Sequence, residues 1–141
     1  MDTPEQVAPL QTRDQLLASA VYARVESAQQ AFQDGTLTNQ YGSLAHRLPI
    51  LIRTAGLAQA LAYVAARGQK AEQRLLRDLD DVVARSAGEQ VTLAVLSRTA
   101  DLRTYMLLTQ RSMDALVWFK RFAQTVLHVA AESEMEATSH D

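Results

Sequence analysis

The chain has 141 residues, 48% of them apolar and 21% charged. That composition suits one folded domain and excludes wholesale disorder. With no cysteine there is no disulfide framework, no thiolate nucleophile and no zinc–thiolate site. No apolar stretch approaches the roughly 18 residues of a membrane span, and the start Met1-Asp2-Thr3-Pro4-Glu5 is polar and acidic. The expectation is a cytoplasmic protein without a signal peptide.

The formal charge of −2 hides an uneven distribution. Asp2 and Glu5 sit at one end, and Glu132, Glu134, Glu136 and Asp141 at the other. Between them 14 basic residues face 10 acidic ones. Residues 42–77 are the most lopsided, with Arg47, Arg53, Arg67, Lys70, Arg74 and Arg77 against Glu72 alone. Twelve of the 14 basic residues are Arg, whose planar fork pairs with phosphate and stacks on bases. The overall pI near 5.9 opposes an independent, tight nucleic-acid binder. A basic patch used inside a larger assembly is compatible with it.

The periodicity is helical throughout, and no segment alternates like a strand. Residues 1–11, with Pro4 and Pro9, read as a loose arm. Thr12-x-x-Gln15 is a capping box and opens a helix over about 13–33. Leu17, Val21, Val25, Ala28 and Phe32 form its stripe, and Asp34-Gly35 is expected to end it, with Gly35 left-handed. A second helix runs from Thr38 to Leu48. Pro49, which lacks an amide hydrogen, predicts a kink or break there. Thr54 is expected to cap a helix over 55–67 that ends at Gly68 and turns Leu57, Leu61, Val64 and Ala65 inward. The next covers 71–87, with Leu75, Leu79, Val82 and Val83 as its seam, and ends at Gly88. Two shorter segments cover 90–97 and 99–108. Thr109 or Ser112 then starts a last helix reaching Ala131, with Met113, Leu116, Val117, Phe119, Ala123, Val126, Leu127 and Ala130 on one face. The resulting expectation is an all-α chain: one compact bundle of five to seven helices over residues 12–131, followed by an acidic tail over 132–141.

Motifs for chemistry are missing. His46, His128 and His140 do not form the Glu-x-x-His or His-x-x-x-His pairs that place two metal ligands on one helix face, so no metal or cofactor is expected. There is no Gly-x-Ser-x-Gly elbow and no Gly-x-x-x-x-Gly-Lys-Ser/Thr loop. Asp78, Asp80 and Asp81 look at first like a metal cluster. Arg74, Arg77 and Arg85, each four residues from an aspartate, make them read as exposed ion pairs instead. Trp118, Phe119 and Phe122 around Lys120-Arg121 read as a buried ring stripe with a charged edge, or as a basic–aromatic nucleic-acid surface. Sequence alone leaves both open.

Two stretches carry a resemblance. One is Leu48-Pro49-x-x-Ile52-Arg53-x-x-Gly56-Leu57, followed by Ala60-Leu61-Ala62-Tyr63. The other, about 60 residues on, is Trp118-Phe119-Lys120-Arg121-Phe122-Ala123. Together, over residues 13–131, the chain resembles the small α-helical subunit of the Cmr (type III-B) CRISPR RNA-silencing complex. It departs from that family's usual pattern at Ala55, where a polar residue is common, and at Arg67, where Lys is common. The resemblance implies a non-catalytic helical subunit. Copies would stack beside the backbone subunits of the Cmr complex, and a basic face would line the channel where target RNA pairs with guide RNA. Six residues are carried forward as RNA contacts: Lys120 and Arg121 from the family pattern, and Arg47, Arg53, Arg67 and Lys70 from charge. For Arg53 an internal ion pair is an equal alternative. The rival function is a helical protein–protein interaction module without nucleic-acid contact. A small helical enzyme and a helix-turn-helix DNA reader are weaker rivals.

Overall fold

A computed structural model describes residues 9–131. The acidic tail over 132–141, His140 and most of the N-terminal arm lie outside the described residues. Among those described there are six α-helices and no strand: α1 (Arg13–Ala31), α2 (Gly35–Ala55), α3 (Leu57–Arg67), α4 (Lys70–Leu79), α5 (Leu93–Thr99) and α6 (Leu102–Thr125). None of them is long and apolar enough to cross a membrane.

The expected capping box at Thr12 is formed, with Thr12 and Gln15 exchanging side-chain-to-backbone hydrogen bonds. Gly35 does not end α1 in a left-handed turn. It is the first residue of α2, and Asp34 caps that helix by accepting the Thr36 amide.

α2 runs on past Pro49 without the break that was one of the two expected outcomes there, and stops at Gly56. A proline inside a helix costs about 3 kcal/mol. Burial of Leu44, Leu48 and Ile52 on both sides of it, worth roughly 1.5–3 kcal/mol per side chain, offsets that loss. The break falls where only glycine fits: Gly56 has φ 89° and ψ 160°. Thr54 does not cap α3. Its hydroxyl donates to the Ile50 carbonyl within α2. The free amide of Ala58 near the start of α3 donates instead to the Tyr105 hydroxyl at 3.3 Å. That contact ties the start of α3 to α6.

α4 carries on through one π-helical turn, Asp80–Ala84, and one 3₁₀ turn, Arg85–Ala87, to a left-handed Gly88. The π turn explains how Val82, Val83 and Ala84 can all be buried in succession. A widened turn at this point packs against α1, α5 and α6 together. The break expected near residue 109 is absent, and α6 is a single helix of 24 residues. It ends at Thr125 rather than Ala131, and His128, expected on a helix, has φ 58° beyond its end.

The core lies between α1, α2, α4 and α6, with Tyr41, Leu44, Leu48, Leu75, Leu79, Leu116 and Phe119 fully enclosed. Ala65 and Val117, expected inward, are exposed. α2 and α6 run antiparallel: Gly42 near the start of α2 meets Val129, just past the end of α6, and Gly56 meets Tyr105 near its start. α1 follows α6 in the same sense, through Trp118 Nε1 to Asp14 at 3.0 Å and Tyr22 edge-on to Phe122.

Candidate nucleic-acid interface

The six expected contact residues fall at three places. The first is the meeting of α2, the end of α3 and the start of α4. Glu72 is buried there, and two arginines hold it: Arg47 Nη2 at 2.8 Å and Arg67 Nε at 3.1 Å. Arg67 also lies over the exposed ring of Tyr63, 5.9 Å from its centroid. Tyr63 first, then Glu72, strengthens its hold on its proton. Lys70 is the exposed first residue of α4 and has no carboxylate partner among the described residues. A cation at a helix N-terminus opposes the helix dipole, so Lys70 gains nothing from its own helix.

The second place is the seam between α2 and α6. Gly42, His46, Pro49 and Arg53 follow one another at helical spacing along the α6-facing flank of α2. On α6, Tyr105, Leu116 and Lys120 likewise share the flank turned towards α2. Arg53 and Lys120 are both exposed and have no acidic partner among the described residues. Of the two readings of Arg53, the internal ion pair is therefore absent within the described chain. α2 contains no carboxylate at all, and the one acid within α6, Asp114, lies on the opposite flank. At the Tyr105 end of the seam, Ile50, Leu102 and Met106 are more than half exposed.

The third place is the outer groove between α1 and α6, about 500 Å³, where Arg121 sits with Arg13. Asp14 and Asp114 share the groove, so its formal charge balances. Lys120 and Arg121, adjacent in sequence, thus point to different flanks of α6, about 100° apart, as successive residues of any helix do. The rings around them are mainly structural. Phe119 is fully buried, and Trp118 stacks on Phe122 at 5.7 Å.

The aspartate run departs from its expected solvated face. Asp78 is buried and binds the Tyr41 hydroxyl at 2.6 Å and Arg74 Nε at 3.2 Å through both oxygens. Burial raises its pKa above the usual carboxylate value, and raises that of Tyr41 well above its own. Asp80 accepts the Leu93 amide at the start of α5, and burial raises its pKa as well. Asp81 pairs with Arg85, as expected, and with Arg24, but not with Arg77. Among the described residues no three His, Asp or Glu side chains group as metal ligands.

Residues 13–126 match the family of CRISPR-associated proteins described as Cas_Cmr5. The chain belongs to the Cmr5 family. It is similar to the "CRISPR system Cmr subunit Cmr5" of Thermus thermophilus, with 40% identity over 119 residues, 84% of this chain and 98% of that one. It also resembles the X-ray crystal structure of a CRISPR-associated Cmr5 family protein from Thermus thermophilus, at 40% identity. The TM-score is 0.69, over 82% of this chain and 97% of that one. The family match spans all three basic places and both stretches, around Pro49 and around Lys120, that carried the resemblance.

Arg13 was missed by sequence reading, because its groove partner Arg121 is over 100 residues away. The neutralising role of Glu72 was missed too. It sits three residues after Gln69, which precedes α4, and nothing in the sequence marks it as buried.

Proposed function

We propose that this protein is a non-catalytic subunit of a Cmr RNA-targeting complex in the cytoplasm, and that it contacts the RNA backbone through its unneutralised cations. The observation that carries this is the α2–α6 seam, which presents Arg53 and Lys120 with no carboxylate on either flanking surface, in a chain of the Cmr5 family. A surface that must accept any target reads phosphate, not bases; sequence is read by guide pairing. Isolated cations on rigid helices suit that task.

The six residues then differ in weight. Arg53, Lys70 and Lys120 offer whole charges. Arg47 and Arg67 share Glu72 and offer one between them, with Tyr63 beside them as a ring on which a base can stack. Arg121 acts in a groove that its aspartates already balance. Copies stack beside the backbone subunits of the complex, so weak contacts in each copy add along paired guide and target RNA. The protruding Ile50, Leu102 and Met106 favour a protein contact at the far end of the seam, which also supports the reading of a protein–protein module. The two readings part in one experiment. Reconstitute the complex with and without this subunit and with Lys120→Glu plus Arg121→Glu. The RNA reading requires that the variant subunit incorporates while target affinity falls. Incorporation with unchanged affinity, or failed incorporation, favours the protein-contact reading. The isolated subunit should leave RNA intact in a background-free ribonuclease assay.

A further inference from the structure

A second cavity, of about 360 Å³, lies where the first half of α1, the π turn and the middle of α6 meet. It shares Arg13 and Leu17 with the outer groove but differs from it in charge. Leu17 and the buried Val82 and Val83 make an apolar wall, and the exposed Leu16 and Ala20 flank the open side. Two cations line it, Arg13 from α1 and Arg111 from α6, and no carboxylate does. The acids nearest to them along the chain are engaged elsewhere. Asp14 accepts Trp118 Nε1 at 3.0 Å, Asp114 accepts the Gln110 amide group at 2.8 Å, and Asp81 pairs with Arg24 and Arg85. Neither Arg13 nor Arg111 makes an ion pair among the described residues.

Arg111 is set differently from the free cations of the seam. It is half-buried, and its Nε is enclosed with no hydrogen-bond partner among the described residues. Of its three nitrogens only Nε is so enclosed, so the Nη ends are the accessible ones. A guanidinium fixed by packing along its stem is a preorganised fork for a planar anion. Beside an apolar wall that fork suits a carboxylate on an aliphatic group better than a phosphate, which needs donors or water on every side. The cavity has the volume of about a dozen waters, which matches one leucine residue with its terminal carboxylate and the peptide group before it. Its open side lets the rest of such a chain lead out. Single π turns also occur often at functional sites, and here one supplies the two adjacent valines of the wall.

We propose that this cavity receives the C-terminal residue of a partner polypeptide, its aliphatic side chain against Leu17, Val82 and Val83 and its free carboxylate on Arg111 and Arg13. A Cmr subunit works among other polypeptides, and the open side favours a chain over a free small acid. The inference is independent of the RNA reading of the seam.

The probe is the peptide acetyl-Gly-Ser-Gly-Leu with a free carboxylate, added to the ¹⁵N-labelled full chain. It should shift the ¹H–¹⁵N signals around Leu17, Val83 and Arg111, with the millimolar affinity that so few buried atoms allow. The same peptide ending in an amide, or in Ser instead of Leu, should bind at least about tenfold more weakly. Arg111→Gln should weaken the free peptide by a similar factor. Ala20→Phe, at an exposed position, should fill the open side and block binding with both arginines intact, which decides the matter if Arg111→Gln does not fold. Equal binding of the amide or Ser peptide overturns the proposal, as do shifts centred on Arg53 and Lys120. Isovalerate binding as tightly as the peptide would assign a free acid instead. Uridine monophosphate moving the same signals with equal affinity would make the cavity a phosphate site. Either result rejects a polypeptide terminus.

Discussion

The α2–α4 side of the molecule and the α2–α6 side use charge in opposite ways. On the first, carboxylates are buried and surrounded: Glu72 by Arg47 and Arg67, Asp78 by Tyr41 and Arg74. On the second, Arg53 and Lys120 stand exposed without an acidic partner among the described residues. A buried charge is costly unless paired, so the first side binds its arginines to the fold. The second has no buried acid to satisfy, and its cations remain available. Sequence composition groups Arg47 and Arg53 in one basic run. Six residues apart on a helix, they lie on different flanks and have different fates.

Breaking the first side should cost most. Asp78→Ala leaves the Tyr41 hydroxyl buried without its acceptor and frees Arg74. We expect a loss of about 3 kcal/mol in urea unfolding. A loss under about 0.5 kcal/mol, typical of an exposed surface change, would erase the contrast between the sides.

Next comes the contact between Gly42 and Val129. Gly42→Ala puts a methyl against Val129 and should cost about 1–3 kcal/mol. Gly42→Ala with Val129→Ala should recover part of it in a double-mutant cycle. Strict additivity would mean the two positions do not touch.

The pH dependence sharpens the same comparison. Asp78 in the folded protein has a pKa raised above 3.8, so between those values the folded state holds more protons than the unfolded one. Stability therefore falls as pH rises through that window, and its ionisation opposes folding above it. Wild type should gain stability relative to Asp78→Asn as pH is lowered towards 3.8. A relative loss would mean that Arg74 outweighs burial at this site.

On the second side Arg53→Ala and Lys120→Ala should change stability by less than about 0.5 kcal/mol each, read by thermal unfolding. A larger loss at either would show a structural partner and place it with the first side.

The helical class and most of the core were legible in the sequence because they follow from periodicity: Val21, Val25, Leu57, Leu61, Leu75 and Leu79 are buried as their spacing predicts. The capping box and the stops at Gly68 and Gly88 followed from local chemistry. Pro49 does not break α2 because a local helix-breaking preference is overridden by burial on both sides. Asp78 misled because i,i+4 pairing on a helix fits an exposed face and a buried one equally. The candidate site was legible as residues and not as a surface. Which arginine a buried Glu72 engages, and which flank of α6 Lys120 takes, depends on packing between distant segments.

The proposed division is that the seam cations face RNA phosphate while the Glu72 arginines are largely taken up by the fold. It is tested by target-RNA affinity of the reconstituted complex over a range of salt, with Arg53→Ala plus Lys120→Ala set against Arg47→Ala. The seam pair should flatten the salt slope by roughly 0.7–0.9 per lost contact, without changing target preference, and Arg47→Ala should flatten it less. An unchanged affinity and slope for the seam pair, with the variant fully incorporated, would contradict it.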